Sequence, residues 1–152
     1  MLAFGYRLSG WDKWRFSSGR LFAGYFIPRP STGEAVFSGN CHCRDCQRTS
    51  GGTFTPALFV PEKTVKISGA VKYYESTADS GNKISRGFCP NCGSQLFAKL
   101  GKLPNLLGLR TGTLDDPSMF KPMLDIYTSS AAHWDFMNPD LPKFPKAFQA
   151  PQ

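Results

Sequence analysis

The sequence predicts a mostly β chain, and three observations carry that expectation. Fifteen glycines and 12 prolines are spread along 152 residues rather than pooled, a pattern that suits short strands joined by turns. Strand-like apolar runs recur between those punctuating residues, and no long helical stretch interrupts them. A hydrophobic content of 41% is enough to bury one core, so a single domain over residues 1–152 is expected.

The elements follow in order. Trp11 to Gly19 is aromatic and polar by turns, suited to an edge strand or an ordered arm. Leu21 to Ile27 is an apolar run stopped by Pro28 and Pro30, which cannot donate to a ladder, and reads as a short strand. Glu34 to Ser38 leads into a first cysteine cluster; Arg44 to Thr49 then suits a short helix ended by Gly51-Gly52. Strands are expected at 54–60, 64–67, 71–75, 83–88, 95–100 and 106–110, with one more over Pro122 to Tyr127. Pro142 and Pro145 exclude regular helix from the tail, which is expected to wrap the surface. There is no internal repeat or low-complexity tract.

A formal charge of +7 attracts anions without saying which. Because the cations are scattered and form no basic block, nucleic acid is an unlikely partner. No run approaches the ~20 apolar residues that span a bilayer, so no membrane association is expected. Five cysteines in two tight clusters point to metal or redox chemistry in a reducing compartment, and the expected location is cytoplasmic.

The first cluster is Cys41-His42-Cys43-Arg44-Asp45-Cys46. In an extended segment Cys41 and Cys43 face the same side, and a helical turn starting at Cys43 brings Cys46 onto that face. Three thiolates make a good zinc site that leaves one tetrahedral position open, the catalytic pattern. The alternative is closure by a fourth cysteine. The second cluster, Cys89-Pro90-Asn91-Cys92-Gly93, has the shape of a zinc knuckle; pairing it with Cys43 and Cys46 would build a four-cysteine ribbon-type site. His42 is expected to point away from the metal, as a supporting or surface residue. Arg44, Arg48 and Arg86 can clamp carboxylates or stand as solvated cations, and Gly51, Gly52 and Thr53 can admit a ligand to the backbone or simply end a helix.

Three segments together, Cys41 to Gly51, Arg86 to Ser94 and Gly112 to Pro117, resemble the glutathione-dependent formaldehyde-activating enzyme family. The resemblance runs from about Cys41 to Pro145, includes Trp134 and the Leu141 to Pro145 ending, and leaves residues 1–40 divergent. It implies an Mss4-like β-rich fold, a catalytic zinc on Cys41, Cys43 and Cys46, and a structural zinc on the Cys89/Cys92 knuckle with an N-terminal Cys-x-Cys pair. That pair is missing: Arg20 to Gly24 holds no zinc-ligating residue. The Cys89/Cys92 site is therefore expected to be incomplete, with the two thiols empty or oxidised, and residues 20–33 are either divergent or frame-shifted. The family's usual histidine is replaced by Asp125, which is expected at a turn or on the surface. His133 is expected to have no functional part.

The expected function is zinc-dependent carbon–sulfur lyase chemistry on a small glutathione-like thiol and formaldehyde, as in S-hydroxymethylglutathione. The alternative is a noncatalytic zinc module binding a protein or an anionic polymer, similar to the Mss4 group or to the chromatin-associated member of the family.

Overall fold

A computed structural model describes residues 25–26, 36–67, 69–78, 80–114 and 116–148. The expectations for Trp11 to Gly19, and for most of Leu21 to Ile27, lie outside these residues. The described part is mostly β, with ten strands and one short α-helix.

Eight strands form one sheet. β2 (Phe37–Cys41) pairs antiparallel with β3 (Thr55–Pro61), and β3 with β8 (Leu106–Arg110). β8 continues to β7 (Gln95–Leu100), β6 (Lys83–Phe88) and the edge strand β5 (Lys72–Thr77), all antiparallel. On the other side of β2 lie β9 (Asp125–Ile126) and β10 (Lys143–Phe144), both parallel. A separate ribbon joins β1 (Tyr25–Phe26) to β4 (Lys66–Ile67). Pro122 to Tyr127 was expected to be a strand throughout. Only Asp125 and Ile126 are: Pro122 has no N–H to give a ladder, and Tyr127, at a φ of 57°, leaves the extended conformation. The proline-rich tail does more than wrap the surface, since it supplies β10 as the outermost strand.

Register sorts the side chains onto two faces, because successive side chains alternate. On one face Leu58 is opposite Leu109, Val60 opposite Leu107 and Leu109 opposite Phe97. All five are buried and belong to one apolar cluster, against which Val65, Ile67, Met119 and Phe120 pack. Full burial of such side chains contributes roughly 1.5–3 kcal/mol each. On the other face Cys41 is opposite Thr55, Ala57 opposite Arg110, and Arg86 opposite Ala98. The small residues Ala57 and Ala98 stand opposite the two arginines, while the space over Gly108 is taken by the Phe59 ring.

Glycine is required where backbone meets backbone. The Asn40 N–H donates to the Leu124 carbonyl at 3.0 Å, and a Cβ on Gly39 would lie 2.7 Å from that same oxygen. No rotamer relieves a clash with a carbonyl. Gly39→Ala is expected to lower stability by about 1–3 kcal/mol, read as a lower urea midpoint. A midpoint equal to wild type would show that β9 yields freely.

Candidate metal centre and adjoining cleft

The centre forms where β2 turns into the helix. Cys41 ends β2, on the polar face of the sheet opposite Thr55. Cys43 is the N-cap of α1 (Arg44–Ser50), with extended backbone, and its sulfur accepts the Cys46 N–H at 3.4 Å. The helix ends at Gly51, whose φ of 69° is the left-handed conformation that glycine tolerates. One residue before the helix and one in its first turn therefore carry two sulfurs, and the last residue of the strand carries the third.

The Cys41, Cys43 and Cys46 sulfurs lie within 4.8 Å of one another. Two zinc–sulfur bonds of ~2.3 Å at a tetrahedral angle separate sulfurs by ~3.8 Å, so this donor set fits a metal ion with little movement. Thiolate donors favour zinc among the common divalent ions. Among the described residues, neither Cys89 nor Cys92 joins this group. Cys89 is buried in the apolar cluster, whereas Cys92 is exposed with its sulfur 3.2 Å from the Ser94 hydroxyl. The four-cysteine ribbon arrangement is thus not what the fold brings together.

Without metal the three sulfurs share protons unequally. Hydrogen bonds from Cys41 and Cys43 hold Cys46 down at about 3, with Arg110 and the Thr55 hydroxyl adding to the effect and burial opposing it. Cys41 is pushed strongly up by its hydrogen bonds to Cys43 and Cys46 and by burial. Cys43 is lowered by its hydrogen bond with Cys41 but moves up on balance, because its bond to Cys46, its burial and the Cys46 charge together outweigh that. Cys46 is thus the acceptor of the cluster, and the other two sulfurs are held toward the thiol form.

Arg110 is a site residue that sequence reading missed. It closes β8 and hydrogen-bonds Cys46; burial pulls its guanidinium down, the Cys46 charge opposes this, and the nearby Arg86 charge adds to it. No motif marks it, and only the register of β3 against β8 sets it beside the cluster. Thr55 and Arg110 also line an open cleft of about 430 Å³, with Thr49, Cys92, Gln95 and Thr113 among the other walls.

The residues expected to bind substrate are dispersed. Arg44 is exposed and donates to the Gln47 side chain, and Arg48 lies 3.8 Å from Asp45 on the outer surface of the helix. Gly51 and Gly52 are exposed, with Gly51 ending the helix, and Thr53 is half-buried beside them. Arg86 is buried; it donates to the Ser76 hydroxyl at 2.5 Å and stands 4.0 Å from Asp45.

Asp125, expected at a turn or on the surface, is 1% exposed, and so is His42. His42 does turn away from the sulfurs, but into the protein rather than to solvent. Its Nδ1 is 2.7 Å from Asp135 and its Nε2 is 3.5 Å from Asp125, long for a hydrogen bond. Asn40 donates to the same Asp125 oxygen at 2.9 Å, and Phe54 packs on the imidazole with centroids 5.2 Å apart. Sequence reading failed here because the carboxylates come from 83 and 93 positions along the chain: His42 to Asp125 and to Asp135. His133 is exposed.

Metal uptake by the apo protein is expected to release the protons of Cys41 and Cys43, so affinity should fall as pH falls. Calorimetry in buffers of different ionisation enthalpy reads that release directly, and pH-independent uptake would contradict the proton sharing described above. Cys43→Ala is expected to lose bound metal, and Cys92→Ser to keep it, as measured by metal content per chain.

No curated protein matches the chain. The family described as glutathione-dependent formaldehyde-activating enzyme matches residues 28–130. That span covers both cysteine clusters, every residue of the sulfur group and every residue lining the cleft. With this match and the three-sulfur centre together, the chain belongs to the glutathione-dependent formaldehyde-activating enzyme family.

Proposed function

We propose that the protein is a zinc-dependent carbon–sulfur lyase acting on the adduct of formaldehyde with a small, glutathione-like thiol. The observation that carries this reading is the adjacency of the three-sulfur group and the cleft, which meet at Thr55 and Arg110. Cys41, Cys43 and Cys46 would hold the metal. Zinc bound there would supply the Lewis acidity that favours the thiolate form of a substrate thiol near neutral pH.

The reaction itself is simple in its balance. A carbon–sulfur bond forms as the substrate sulfur adds to the carbonyl carbon, and the carbonyl oxygen takes up the proton that the thiol gave up; the reverse releases thiol and formaldehyde. The protein's part is to bind and orient. Arg110 contributes a cation at the meeting of cleft and cluster, suited to a substrate carboxylate or to negative charge developing on oxygen. Its Nε and the Gln95 side-chain oxygen are buried without hydrogen-bond partners, which supports recognition of a ligand carrying both an acceptor and an amide N–H. A peptide-like thiol has both. Arg44 and Arg48, on the helix exterior, are less suited to this than Arg110.

The test is exchange between formaldehyde and its glutathione adduct, followed by NMR on zinc-loaded protein. Acceleration is expected in wild type and should vanish in Cys46→Ser. Arg110→Ala, compared at matched metal content, should raise KM by roughly ten- to a hundredfold, since losing a hydrogen bond to a charged group costs about 1.5–3 kcal/mol. No acceleration by the zinc-loaded wild type would overturn the reading.

A further inference from the structure

The residue between the first two cysteines of the cluster is held through both its backbone and its side chain. The His42 N–H donates to the Ile126 carbonyl at 2.9 Å, and Gln47 Nε2 donates both to the His42 carbonyl at 2.6 Å and to the Ser130 carbonyl at 2.8 Å. The imidazole is held on its Nδ1 edge by Asp135 at 2.7 Å, its Nε2 stands 3.5 Å from Asp125 with no hydrogen-bond partner among the described residues, and the Phe54 ring packs against it at a tilt. Backbone and side chain of one residue are therefore tied to residues 125–135 at several points, while the neighbouring sulfurs stay half-buried and face the other way.

Asp135 is placed by polarity rather than by packing. Its side chain is 3% exposed, yet its neighbours Trp134 and Phe136 are 67% and 91% exposed. A loop driven by apolar burial would do the reverse. Turning two large aromatics to solvent while burying a carboxylate has a cost, and the carboxylate's partner is His42. The short contact offsets that cost and fixes the ring.

We infer that Asp135 is a positioning residue for the metal centre, acting through His42 to hold Cys41 and Cys43 in the conformation that ligates a metal. Asp125 assists from the opposite edge of the ring, steadied by Asn40. His42 itself is no ligand. It is the peg on which the ligating turn is hung, so the C-terminal segment presets a site whose sulfurs all come from residues 41–46. This inference rests on the three-sulfur metal reading above.

The test is cobalt(II) titration of the full-length apo protein, following the thiolate-to-cobalt charge-transfer band and the d–d bands, alongside thermal unfolding of the apo form. Asp135→Asn is expected to weaken cobalt binding roughly ten- to a hundredfold, the usual effect of losing a group that orients a metal site, and to change the d–d envelope. Asp125→Asn, which keeps the Asn40 hydrogen bond, should weaken it less, and it decides the matter if Asp135→Asn does not fold. Wild-type affinity and spectrum in the folded variants, with only the unfolding temperature lowered, would overturn the positioning role and leave the metal site standing. A wild-type protein that develops no charge-transfer band would overturn the metal reading, and this inference with it.

Discussion

Three sulfurs held within 4.8 Å of one another are the constraint on which the rest of this structure turns. Two thiolates at about that spacing repel by roughly 4 kcal/mol at the effective dielectric of a protein surface, so three bare anions cannot coexist there. The cluster has two ways out: keep protons on Cys41 and Cys43, or bring in a cation. Arg110 supplies a partial answer within the chain, and a metal would supply a complete one. The same electrostatics therefore explain why a buried arginine is tolerated beside the cluster and why a divalent ion is the natural guest.

The two faces of the sheet share the work. Leu58, Leu107, Leu109 and Phe97 build the apolar cluster on one face, and this side holds the β3–β8–β7 ladder rigid. The other face carries Phe37 and Phe59 on one part and Arg86, Arg110 and the Cys41 sulfur on another. Buried cations are costly unless paired. Arg86 has Ser76 and Asp45 within reach, and Arg110 has Cys46. The buried parts of these cations are thus backed by hydrocarbon, where charges act more strongly than in water.

The C-terminal segment completes the centre from the opposite side. Its two short parallel strands add beside β2, and its carboxylates reach under the ligating turn. The residues that reach His42 lie far along the chain because β9 joins β2 only after the strands β3 to β8 have been laid down. The cleft is built from other parts of the chain again: the end of α1, the turn after β6 and the end of β8. The sulfur cluster and the cleft then meet at Thr55 and Arg110.

Local information was enough for the mostly β class, for the helix from Arg44 with its stop at Gly51, for most strands and for the convergence of Cys41, Cys43 and Cys46. Each of these depends on periodicity, on glycine conformation or on spacings of two and three residues, which act within one element. Strand order, register and long-range burial lie beyond that reach. They put Arg110 against Cys46, kept Cys89 and Cys92 apart from the other sulfurs, and drew Asp125 and Asp135 onto His42. An aspartate in a proline-flanked stretch reads as surface because its own neighbours offer nothing to bury it. Only a partner delivered by the folded sheet makes the buried position favourable, and no window of sequence contains both members of that pair.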